Sequence, residues 1–108
     1  MMRDELVRLR AEFTASAATL AADLEALFEA SRDVNGDDEH DPEGATVGFE
    51  RAQLTAMLAA ARQRVDEVDE ALRRMETGSF GVCEGCGQPI PSERLRARPF
   101  TRSCVTCA

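Results

Sequence analysis

The chain has 108 residues, with 20 Asp plus Glu against 13 basic residues, all of them Arg, and a formal net charge of -7. Such a surface repels duplex phosphates, which excludes non-specific nucleic-acid binding by the chain as a whole but leaves room for a local basic patch. Five Phe, no Trp, no Tyr and 17 Ala supply few large core side chains, so a single small domain of closely packed helices is expected.

The first ten residues, Met-Met-Arg-Asp-Glu-Leu-Val-Arg-Leu-Arg, interleave charges and lack the apolar core of a signal peptide. No run of 18 apolar residues occurs, so no membrane partner is expected. These features describe a soluble, cytoplasmic chain, where thiols stay reduced and paired cysteines more often hold metal than form disulfides.

Leu6, Leu9, Phe13, Ala17, Leu20, Leu24 and Leu27 recur in steps of three and four, the stripe of an amphipathic helix, and no Gly or Pro interrupts residues 3–31. From Asp33 to Gly44, carboxylates and turn formers replace the stripe, predicting an acidic loop over about 33–46. Within it, Asp41-Pro42-Glu43-Gly44 has the composition of a type I turn. The stripe resumes at Leu54, Leu58, Ala61, Val65, Val68, Leu72 and Met75, with a heptad-like alternation from Leu58 onward. Two such helices, each about 40 to 45 Å long at 1.5 Å per residue, cannot bury their stripes alone. An antiparallel helical hairpin over residues 1–77 is the economical solution, with the acidic loop at its tip. Gly78 suits the left-handed position that ends the second helix.

Residues 78–108 have a different grammar, broken by Gly78, Gly81, Gly85, Gly87, Pro89, Pro91 and Pro99, and are expected to fold as a compact four-Cys zinc finger after the hairpin. A short helix over 92–97 is predicted, with Ser92 as its N-cap. Cys83-x-x-Cys86 and Cys104-x-x-Cys107 are separated by 17 residues, a spacing that fits a four-thiolate zinc site. Gly85 and Gly87 are expected to supply the unusual backbone angles of the first cysteine turn. A segment this poor in apolar side chains needs the metal to fold. Four thiolates close the coordination sphere, so one structural zinc rather than a catalytic one is expected; the alternative is a redox pair or two disulfides.

Arg94, Arg96, Arg98 and Arg102 cluster around Phe100. They read either as a solvated surface or as a docking patch for an acidic partner or a nucleic-acid backbone. Residues 31–50 hold one Arg against seven acids, a net 1 - 7 = -6, whereas residues 77–108 hold four Arg against two acids, a net 4 - 2 = +2. His40, the single histidine, lies among acids that favour its charged form, and the bland reading, a solvated side chain, is preferred over a ligand or base.

Phe80-Gly81-Val82-Cys83-Glu84-x-Cys86-Gly87-x-x-Ile90, followed by Arg94-Leu95-x-Ala97-Arg98-Pro99 and Cys104-x-x-Cys107, closely resembles the zinc-finger signature of the DksA/TraR family. An acidic-tipped helical hairpin before the finger extends the resemblance over nearly the whole chain. The resemblance implies a regulator that binds bacterial RNA polymerase, enters its secondary channel with the coiled coil and brings tip carboxylates to the active centre. No sequence-specific DNA binding and a monomer are the matching expectations, although exposed Ala-Leu stripes also permit self-association.

The family's tip pattern, Asp-x-x-Asp-x-Ala, is met here by Asp38-Glu39-His40-Asp41-Pro42-Glu43, with Glu43 where Ala stands in the family. A second register, counted back from the first Cys, places Glu43 and Ala45 at the second acid and the Ala. Asp38, Asp41 and Glu43 are therefore the candidate tip residues, against the alternative of a solvated acidic turn. Family members that respond to ppGpp use basic residues of the coiled coil and of a tail after the zinc site. The matching stalk here reads Val65-Asp66-Glu67-Val68 and the sequence ends at Ala108, so with only Arg98 of that set in place a weak response or none is expected. The family's extra N-terminal segment is expected to be absent.

Two other functions fit parts of the sequence. A channel factor could promote transcript cleavage by the polymerase, through a tip-held metal ion. A zinc module could bind nucleic acid through the arginines. The chain itself shows no nucleophile-base pair, phosphate loop or open metal site, so no enzyme is expected.

Overall fold

The computed structural model describes residues 2–33 and 42–108, with side chains described outside 31–45. Three helices follow one another: α1 (Met2–Asp33), α2 (Pro42–Thr77) and α3 (Ser92–Ala97). Among the described residues, extended structure is limited to one isolated antiparallel bridge between Val82 and Pro89. The architecture is mainly α, two long helices followed by a four-cysteine segment.

The chain forms two compact units, Met1–Glu12 with Arg64–Ala108, and Phe13–Gln63. In each, a segment of α1 lies against a segment of α2. Arg10 pairs with Asp69 in the first, and Arg51 lies 5.4 Å over the Phe28 ring in the second.

The apolar stripes face inward. Leu6 is fully buried and the remaining α1 stripe positions, Leu9 to Leu27, are half-buried. On α2 the buried positions are Leu58, Ala61, Val68, Ala71 and Arg74. The stripe expected from periodicity continues through Leu72 and Met75, which are only half-buried. The buried face shifts by one residue to Ala71 and Arg74 because residues following the finger's short helix pack there: Arg74 Nη2 approaches the carbonyls of Phe100 and Thr101.

Two local expectations change. The acidic loop is expected to run to about residue 46, but α2 already begins at Pro42, so residues 42–46 are helical and Pro42-Glu43-Gly44, expected in a type I turn, open the helix instead. Proline is well placed at the first helical position, where its missing N–H is not needed and its fixed φ is already helical. Ser92 is not an N-cap but the first residue of α3; Pro91 occupies the cap position and no side chain caps the helix.

The C-terminus of α2 ends as expected. Gly78 adopts φ 81°, Ser79 N–H donates to the Arg74 carbonyl at 2.9 Å and Gly78 N–H to that of Met75 at 3.4 Å. These two bonds are the paired closure of a Schellman motif, which needs a residue tolerant of positive φ.

Candidate metal centre

Two cysteine turns build the centre. In the first, Cys83 N–H donates to the Gln88 carbonyl and Gly87 N–H to the Cys83 carbonyl, both at 2.9 Å. Gly87 has φ 74°, a left-handed angle that closes the turn. Gly85 is expected to serve in the same way, but it has no positive φ. Its constraint is space: a β-carbon there would stand 3.0 Å from Cys107 Sγ. Ile90, 5% exposed, anchors the turn beneath, with its N–H donating to the Gly81 carbonyl at 2.7 Å.

In the second turn, the N–H groups of Cys107 and Ala108 both donate to the Cys104 carbonyl, at 3.2 and 3.0 Å. Cys104 N–H donates to Cys83 Sγ at 3.3 Å, joining the two turns. The four sulfurs, of Cys83, Cys86, Cys104 and Cys107, all lie within 4.8 Å of one another. Cys86 and Cys104 Sγ are 3.9 Å apart, close to the roughly 3.8 Å edge of a tetrahedron with zinc–sulfur bonds of about 2.3 Å.

Two of the thiols are pushed apart in acidity by their surroundings. Cys83 is lowered to about 6, chiefly by the Cys104 backbone amide and then that of Cys86. Cys107 is pushed up to about 12 by its contacts with the thiols of Cys83, Cys104 and Cys86. Four sulfurs so close cannot all carry charge without a positive ion between them, and a dication removes that conflict. The residues fit one zinc, which would be held by all four thiolates with no position left open.

The four arginines of the finger differ in exposure. Arg94 is half-buried, and its Nε donates to the Ser103 carbonyl at 2.8 Å, whereas Arg96, Arg98 and Arg102 are exposed. Asp38, Asp41 and His40 lie outside the described residues, and the backbone of Glu43 belongs to the first turn of α2.

Sequence reasoning missed Arg64 and Arg74. Arg64 sits 5.5 Å over the Phe100 ring, and Arg74 is 7% exposed. The signal for Arg74 was its spacing of three from Ala71, itself three from Val68, which continues the buried face.

Among the described residues no helix is long and apolar enough to cross a membrane. Residues 78–108 match the family of prokaryotic dksA/traR C4-type zinc fingers. General stress protein 16O of Bacillus subtilis is 39% identical over 71 residues, 66% of this chain and 44% of that protein. The RNA polymerase-binding transcription factor DksA of Caulobacter vibrioides is 53% identical over 44 residues, 41% of this chain and 31% of that one. The chain therefore spans less than half the length of these curated relatives. The solved structure of transcription factor DksA2 from Pseudomonas aeruginosa covers 98% of this chain, which covers 76% of it, with a TM-score of 0.82 and 28% identity. Residues 78–108 are thus a C4-type zinc finger of the prokaryotic dksA/traR kind, on a chain that shares the fold of DksA2.

Proposed function

We propose that the chain is a transcription regulator that binds bacterial RNA polymerase, enters its secondary channel with the helical hairpin and acts near the catalytic centre through the acidic segment between α1 and α2. The observation that carries this reading is the likeness to DksA2 over 98% of the chain, joined to a net -6 (1 - 7) concentrated in residues 31–50. Carboxylates suit a magnesium-dependent centre because they are hard oxygen ligands.

On this reading Asp38, Asp41 and Glu43 are the working carboxylates, and the helical stalk of 1–77 and the finger of 78–108 have separate tasks. Arg96, Arg98 and Arg102, exposed on the finger, dock against the polymerase; Arg94 takes part less, its Nε being engaged at Ser103. The protein acts as a cytoplasmic monomer and modifies the polymerase's chemistry without catalysing a reaction itself.

Binding of the full chain to purified bacterial polymerase, with a DksA protein as competitor, tests the reading. Competed binding is expected, and a D38A/D41A/E43A variant should still bind while losing its effect on initiation. Failure to bind polymerase overturns the proposal. Shortening of RNA in stalled complexes would reassign the chain to transcript cleavage, and salt-dependent binding to DNA without polymerase would reassign it to nucleic-acid binding.

A further inference from the structure

The stretch that leads into the second cysteine pair has little to hold it by burial. No residue from 101 to 108 is buried, and Val105 is 69% exposed. Placement of Cys104 and Cys107 must come from polar contacts with their surroundings.

Those contacts converge on four successive carbonyls. Arg74 Nη2, from α2, approaches the Phe100 and Thr101 carbonyls at 3.5 and 3.4 Å. Glu84 N–H, from the first cysteine turn, donates to the Arg102 carbonyl at 2.9 Å. Arg94 Nε, from α3, donates to the Ser103 carbonyl at 2.8 Å, and Thr101 Oγ1 donates to the same oxygen at 3.0 Å. Each carbonyl from 100 to 103 thus meets a donor, and two of the donors are guanidinium groups.

Arg74 is an expensive choice for mere packing. It is 7% exposed, its Nη1 is buried with no hydrogen-bond partner, and burial pulls its pKa below the usual value. An apolar side chain of similar length would fill the space without that desolvation. What the guanidinium adds is a charged donor aimed at backbone oxygens, and such donors form the stronger hydrogen bonds.

We infer that Arg74 and Arg94 are positioning residues of the zinc site: by holding the backbone of residues 100–103 they preset the second cysteine pair and govern how firmly zinc is retained. Partners outside the ligand set commonly orient a metal's ligands and shift its affinity. Here the ligands held are those that burial leaves unsupported. The role is independent of which partner the chain binds.

Zinc transfer from the loaded full chain to a chromophoric chelator tests this, with R94A, R94K, R74M and R62A as variants. R94A and R74M are expected to lose zinc about 10- to 100-fold more readily, with R94K between them and the parent. R62A, on an exposed site of α2, should match the parent. At saturating cobalt all variants should give the same tetrahedral-thiolate absorption, with unchanged helix content, separating positioning from general unfolding. Retention within about twofold of the parent in both R94A and R74M overturns the inference. So does a loss of helix content at saturating metal that tracks the loss of zinc. Should R74M not fold, R94A and R94K decide by the same criteria.

Discussion

A β-carbon on Gly85 would stand 3.0 Å from Cys107 Sγ and 3.1 Å from Cys107 Cβ. Both atoms belong to a residue whose sulfur is needed at the metal, so neither can move aside without distorting the tetrahedron. Gly85→Ala is expected to cost about 1–3 kcal/mol through overpacking. Zinc content after purification without added metal should fall below one per chain, and a full complement would refute the steric account.

Gly78 ends α2 with φ 81°, and a β-carbon placed on it would meet nothing within 4 Å, so its constraint is conformational rather than spatial. Gly78→Ala should destabilise the chain by about 1–2 kcal/mol, the cost of a left-handed L-residue. A thermal melt followed by far-ultraviolet circular dichroism checks this, with a fall of roughly 4–8 °C expected for each kcal/mol lost.

Leu6 is fully buried in the unit that also buries Val68, Ala71 and Ile90. Truncation to Ala removes three heavy atoms from a packed interface and should cost about 2–5 kcal/mol. Urea titration would measure it, and a change under about 1 kcal/mol, the range of a tolerated swap, would mean the site collapses freely.

Arg10 and Asp69 join the two helices by a paired contact, with side chains 46% and 44% exposed. Hydrogen bonding and charge from Asp69 raise the Arg10 pKa, yet solvent screens both partners. Asp69→Asn should therefore leave stability almost unchanged. A larger loss in the same urea titration would show that the pair orders the helices as well as decorating them.

Removal of zinc by a chelator should expose the amides of Glu84 and Ile90, whose partners are the Arg102 and Gly81 carbonyls. Amides in the middle of α1 should keep much of their protection, because their bonds lie within the helix. Hydrogen exchange followed by NMR distinguishes the two. Equal protection of Glu84 with and without zinc would mean the finger does not depend on its metal.

Helical periodicity and cysteine spacing were legible because each is a local pattern. The helical period shows in Leu6 to Leu27 and Leu54 to Met75, and two Cys-x-x-Cys pairs announce a four-sulfur centre before any contact is known. Proline misled at the tip: Pro42 among acids reads as a turn, yet the same fixed φ opens α2. Ser92 misled for a related reason, since Pro91 takes the cap position before it.

By itself the sequence determined two long amphipathic helices, a closed four-cysteine metal site and a separation of charge along the chain, since these depend on residue type and spacing. Only tertiary structure decided that Arg74 is buried rather than solvated, that Arg94 Nε donates to the Ser103 carbonyl, and that Gly85 is required by the nearness of Cys107. Those assignments depend on which atoms distant segments bring together. A guanidinium, long and amphipathic, can meet solvent or a buried carbonyl equally well, and the backbone it reaches determines which.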